Sequence, residues 1–141
     1  MFDILKDILI ITDSGKVIAS RITNPQIEDQ LFGMLISAVS SYAQEITHQD
    51  LKCLEFSNLR FDIKKKNGFL FLVSSSRLIK HKRILRILEH IIELFFQQYP
   101  TEELTKWDGS INIFHELEEY ITKTKDDLII ELIFKKKTPM Q

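Results

Sequence analysis

Hydrophobic spacing along the chain changes several times, and each change marks an element. The run from Ile4 to Thr12 is rich in Ile and Leu and meets Asp13-Ser14-Gly15, after which Lys16 to Ile22 resumes a β-favouring pattern. A hairpin is expected there. Asn24 and Pro25 follow as a helix cap and a first helical residue, where the missing proline N–H is no loss. Ile27, Leu31, Leu35, Ala38, Tyr42 and Ile46 then recur in three- and four-residue steps, which predicts a long helix running to about Thr47.

Beyond Leu51 the period becomes two. Leu54 and Phe56 alternate with polar neighbours, and Leu59, Phe61 and Ile63 do the same, so both runs are expected to be half-buried strands. Asn67-Gly68, two residues that accept positive φ, form a hairpin turn into Phe69-Leu70-Phe71-Leu72-Val73, which is apolar on both faces. Ser74 to Ser76 end that strand and offer caps for a helix from about Lys80 to Tyr99, with Ile84, Leu88, Ile91, Phe95 and Tyr99 inward and Pro100 as its stop. After a polar loop carrying Trp107 and Gly109, Ile113, Phe114, Leu117 and Ile121 predict a short third helix. Leu128 to Phe134 fits either a helix or a strand.

Strands that are apolar on both faces need cover on both faces, so the first and fifth are expected at the centre of a sheet. Short connections tie the first to the second, the fifth to the fourth and the fourth to the third. The expected fold is therefore α/β (α+β), a three-layer α-β-α arrangement around a five-stranded, mainly antiparallel sheet in the order 2-1-5-4-3. One helix lies on one face and two on the other. The second and third strands are edges and candidate docking sites.

The first helix carries more apolar surface than one sheet face needs. At about 100° per residue, Leu31, Phe32, Met34, Leu35, Ile36, Val39, Tyr42, Ala43 and Ile46 sweep roughly 200° of arc. Phe32, Ile36 and Val39 form the flank left over and are the candidate partner interface, opposite a narrow stripe of Gln30, Gly33, Ser37, Ser40 and Gln44.

Composition narrows the class. The chain has 141 residues, 44% of them hydrophobic, enough for one domain with a core that needs no disulfide or metal staple. A formal charge of -1 provides no global field to recruit nucleic acid. Cys53 is the single cysteine, Met1-Phe2-Asp3-Ile4 lacks the order of a secretory signal, and no apolar run approaches the roughly 20 residues of a membrane span. A cytoplasmic protein, peripheral to membranes at most, is expected.

Motifs for catalysis fail one by one. Asp13-Ser14-Gly15-Lys16 resembles the end of a phosphate-binding loop, but Ile10 stands where the earlier glycine is needed and Val17 where Ser or Thr must follow the lysine. His48, His81, His90 and His115 are scattered without ligand spacing, His81 and His90 falling on the polar side of the second long helix. On a helix Glu116, Glu118, Glu119, Asp126 and Asp127 would be expected to point to different sides and to solvent, and Ser74 to Ser76 lack a nucleophile elbow. No catalytic residue, cofactor or metal is expected. Cations gather in two groups, Lys64 to Lys66 and the denser Arg77, Lys80, Lys82, Arg83 and Arg86 with His81; the second is a candidate contact for an anionic membrane or an acidic partner.

The opening run Ile8 to Lys16, the stretch Phe61 to Val73 with its Asn67-Gly68 turn, the helix Ile84 to Tyr99 and the segment Ile113 to Ile121 together resemble the longin domain. Its relatives include the small subunits of clathrin adaptors and transport-particle subunits, and the likeness covers nearly residues 3 to 122. A roadblock domain shares the sheet but usually begins with a helix, whereas this chain starts in a strand. The resemblance implies a longin/profilin-like fold over residues 1–125, with 126–141 as a C-terminal extension or tail. It also implies a non-catalytic adaptor of vesicle trafficking that binds a small GTPase, a regulator, or another longin or roadblock protein, with homodimers included. Only about twenty residues follow Ile121, too few for the heptad helix of a fusion protein, and the Lys- and Ile-rich composition would suit a simple or archaeal-type system. The alternative is a profilin-like or PAS-like sensor holding a small ligand between sheet and helix.

Overall fold

Ile8 to Ile11 and Phe69 to Val73 are each at most 5% exposed, so the two strands that contain them are covered on both faces. That single demand organises the molecule. The computed structural model describes residues 5–21, 28–57, 59–76, 78–104 and 107. Its elements are β1 (Leu5–Thr12), β2 (Val17–Arg21), α1 (Asp29–Thr47), β3 (Cys53–Glu55), β4 (Leu59–Lys66), β5 (Phe69–Ser76), α2 (His81–Gln98) and α3 (Thr101–Leu104). The strands form one sheet in the order β2-β1-β5-β4-β3, every neighbouring pair antiparallel. This is the order and class that strand hydrophobicity predicts.

The β1–β5 register sets Ile8 opposite Val73, Leu9 opposite Leu72 and Ile10 opposite Phe71. Because successive side chains alternate faces, Ile8, Ile10, Phe71 and Val73 pack with Ile84, Leu88, Ile91 and Phe95 of α2. Leu9, Ile11, Leu70 and Leu72 pack with Phe61, Ile63 and Ile36 on the α1 side. Each face of the sheet thus has its own core, and removing a ring such as Phe71 would cost about 3–5 kcal/mol. The Asn67-Gly68 turn has positive φ at both positions, 51° and 86°, the twist that two closely joined strands require.

Helix ends differ in part from their sequence signals. Glu28 is extended and its carboxylate accepts the Leu31 N–H, so α1 begins at Asp29; Asn24 and Pro25 lie outside the described residues. At the other end His48 turns left-handed, φ 60°, and its N–H donates to the Gln44 carbonyl. α2 ends as expected before Pro100, but one further turn follows directly, with the Glu103 and Leu104 N–H groups donating to the Pro100 carbonyl. Trp107, expected in a polar loop, packs on the α2-side core and stacks on Phe69 with ring centroids 6.2 Å apart. The helix expected over Ile113 to Ile121 and the segment Leu128 to Phe134 lie outside the described residues.

Candidate functional site

α1 lies on the sheet by a face that mixes the small and polar Gly33 and Ser37 with Ile36. A Cβ built on Gly33 would stand 2.4 Å from Val17 Cγ2 and 3.2 Å from the Gly15 carbonyl oxygen, so the helix approaches the β1–β2 hairpin as closely as only glycine permits. Polar side chains on either side fasten it. Gln30 brackets one residue of β2, its Oε1 accepting the Val17 N–H at 3.1 Å and its Nε2 donating to the Val17 carbonyl at 3.2 Å. Ser37 Oγ donates to the Asp13 carbonyl at 2.8 Å, and Ser20 Oγ donates to Asp29 Oδ2 at 2.8 Å.

The consequence is a rotation of the helix relative to the sequence expectation. Gly33, Ile36 and Ser37 are its buried residues, and the stripe expected to face away is the one pressed against β2 and the hairpin. Phe32, Ile36 and Val39, expected to form an exposed flank, lie on the sheet side. Ile36 is 2% exposed in the core, the Phe32 ring sits 5.4 Å from that of Phe61, and Val39 is half-buried. Hydrophobicity alone assigned the largest side chains inward; the close approach at Gly33 and the hydrogen bonds of Gln30 and Ser37 reverse that assignment.

What remains outside is a continuous apolar stripe. Leu31 is 65% exposed, Met34 58%, Leu35 56%, Tyr42 70% and Ile46 59%. At about 100° and ~1.5 Å per residue, Leu31, Leu35, Tyr42 and Ile46 fall within roughly 60° of one another along some 22 Å of helix. Beside it, the Gln30 amide already occupies the Val17 N–H and C=O groups of edge strand β2, while β3 at the opposite edge is only three residues long. The apolar helix face therefore offers more to a partner than either strand edge.

A family profile for the first longin domain of FUZ, MON1 and HPS1 matches residues 6–126. The chain belongs to that family. Among solved structures, the longin domain is similar to a roadblock/LC7 domain from Streptomyces avermitilis, with a TM-score of 0.54 and 13% identity over 68% of this chain and 85% of that one. It is also similar to Myxococcus xanthus MglB, with a TM-score of 0.49 and 15% identity over 72% of this chain and 81% of that one. At 13% identity the likeness to the roadblock/LC7 domain is one of fold. No match was found among curated protein sequences.

The charged residues of the longin domain are distributed less simply than their sequence suggests. Arg60 and Asp62 alternate with apolar residues as a wet strand face would, yet they are 5% and 0% exposed. They point to the same side of β4, where Arg60 Nε meets Asp62 Oδ2 at 3.1 Å and Arg60 Nη2 donates to the Ile79 carbonyl at 2.9 Å. His81 Nδ1 stands 2.9 Å from Asp62 Oδ1 without an aligned N–H bond, so this histidine does not simply face solvent. Cys53 is half-buried, and burial first, then the charges of Asp62 and Glu55, push its thiol pKa up, against a smaller opposing effect of Arg60. Such a thiol is a poor nucleophile.

Of the first lysine group, Lys64 pairs with Glu89 at 3.1 Å and Lys65 with Asp13 at 3.8 Å. In the second, Lys80, Lys82 and Arg86 are exposed and Arg83 is half-buried; Arg77 lies outside the described residues. Among the described residues no three His, Cys, Asp or Glu side chains gather as a metal site, and no helix is long and apolar enough to cross a membrane.

Proposed function

We propose that this longin domain is a non-catalytic adaptor that pairs through the exposed face of α1 with a second longin or roadblock-type domain, either another copy or a different chain. The pair would act beside a small GTPase in membrane trafficking in the cytoplasm. The stripe of Leu31, Met34, Leu35, Tyr42 and Ile46 carries this reading. Apolar patches of this kind are rare on monomers unless something binds there, and each large side chain fully buried contributes about 1.5–3 kcal/mol. Family membership supplies the kind of partner, since longin and roadblock domains are in general non-catalytic and bind other proteins. The packing beneath α1 favours this reading over a ligand sensor: Leu9, Ile11, Leu70 and Leu72 fill the space against Ile36 with apolar side chains.

Affinity purification from the native host, with the native chain and a Leu35→Asp variant side by side, tests the proposal. A longin- or roadblock-type chain, with or without a GTPase, should be recovered with the first and lost with the second. Equal recovery with both would move the interface off α1; a tightly held metabolite on a monomer would favour the sensor reading instead.

A further inference from the structure

Where β5 leaves the sheet for α2, one large apolar side chain stands clear of the protein. Leu78 is 93% exposed. Its turn is closed by its own N–H donating to Ser76 Oγ at 3.1 Å and by the Ile79 N–H donating to the Ser76 carbonyl at 3.1 Å. Arg60, anchored on buried Asp62, holds the Ile79 carbonyl from below. Leu78 is thus presented on a fastened corner, clear of the protein.

Cations accompany it. From Leu78 to Leu88 the sequence has Lys80, Lys82, Arg83 and Arg86 and no Asp or Glu, within a chain whose formal charge is only -1. Lys80, Lys82 and Arg86 are exposed and make no ion pair among the described residues. The register of Leu5 against Ser75 brings the start of β1, and with it Lys6, to the same end of the sheet. Lys80, Lys82 and Arg83 stand at the N-terminal end of α2, whose first turn has no acidic residue and whose cap residue Lys80 makes no side-chain cap bond. The helix dipole favours anions there, so the cations oppose the helix they decorate. An external anionic surface would offset that opposition.

We infer that this corner docks on an anionic lipid bilayer, with Leu78 entering the boundary of the acyl chains and Lys80, Lys82 and Arg86 at headgroup level. A lone aliphatic tip followed by long flexible cations buries little against a rigid protein, which would need a matching pocket. A bilayer deforms around it and needs none. The inference is independent of any partner on α1, which packs on the opposite face of the sheet.

Flotation of the full chain with vesicles tests it, using phosphatidylcholine alone and phosphatidylcholine mixed with phosphatidylserine. The native chain should float with the mixed vesicles only and be released by salt. Each cation removed should weaken binding about fivefold, so Lys82→Glu with Arg86→Glu should abolish it, and Leu78→Ser should weaken it about tenfold. All three positions are substituted without disturbing the core, and thermal melting checks that the fold is kept. Flotation independent of phosphatidylserine, or undiminished in a folded Leu78→Ser or Lys82→Glu/Arg86→Glu variant, would overturn the inference. Failure to float together with capture on polyglutamate would also overturn it, in favour of an acidic protein.

Discussion

Gly33 and Val17 stand so close that a single added methyl group on the helix would reach 2.4 Å from Val17 Cγ2. This contact sets the depth and the rotation of α1, and with them which of its side chains remain outside. Gly33→Ala should therefore destabilise the domain by about 1–3 kcal/mol through overpacking, although alanine is the better helix former by about 1 kcal/mol. Urea unfolding of Gly33→Ala, Val17→Ala and the double variant would show the coupling: the second substitution should recover part of the loss caused by the first.

Adjacent residues of α1 should respond very unequally to the same change. Leu35→Asp places a charge where the side chain is 56% exposed and should alter stability by about 0.5 kcal/mol or less. Ile36→Asp buries a charge where exposure is 2%, and a loss above about 4 kcal/mol is expected. Thermal melting of the two variants distinguishes this helix orientation from the one that hydrophobicity alone suggests.

Arg60 and Asp62 form a buried pair, whereas Lys64 and Glu89 meet in solvent. Removing one partner of the first, as in Asp62→Ala, leaves the Arg60 guanidinium uncompensated and should cost about 3–5 kcal/mol. Lys64→Ala should cost no more than about 1 kcal/mol. Denaturant midpoints at low and high salt check both, the second effect shrinking further with salt.

Cys53 should be alkylated slowly at neutral pH. Burial and the neighbouring Asp62 and Glu55 charges push its thiol up, so less thiolate is present than for a free cysteine. Iodoacetamide labelling followed by mass spectrometry should show the rate climbing only at more alkaline pH than for a cysteine peptide, and Glu55→Gln should raise it modestly. Labelling as fast as the peptide at every pH would contradict this environment.

The sheet was legible because its central strands are apolar at consecutive positions, a pattern that only burial on both faces explains. Ile8 to Ile11 and Phe69 to Val73 fixed the centre, and short connections then left little choice of order. The orientation of α1 was not legible by the same rule. Gly33 and Ser37, one helical turn apart, carried a signal of close approach, but their partners Val17, Gly15 and Asp13 lie far away in sequence. Arg60 and Asp62 misled for a related reason: alternation with Phe61 and Ile63 looks like a wet face until the pairing of the two charges with each other is known. Leu78 gave no sequence signal at all, since one leucine in a loop is ordinary until its exposure is measured.

The exposed face of α1 is the centre of this account, and site-specific photo-crosslinking in the native host tests it most directly. A photoreactive phenylalanine analogue at position 35 should yield an adduct with a longin- or roadblock-type chain, while the same group at the exposed position 97 on α2 should not. Adducts from position 97 with none from position 35 would contradict the claim.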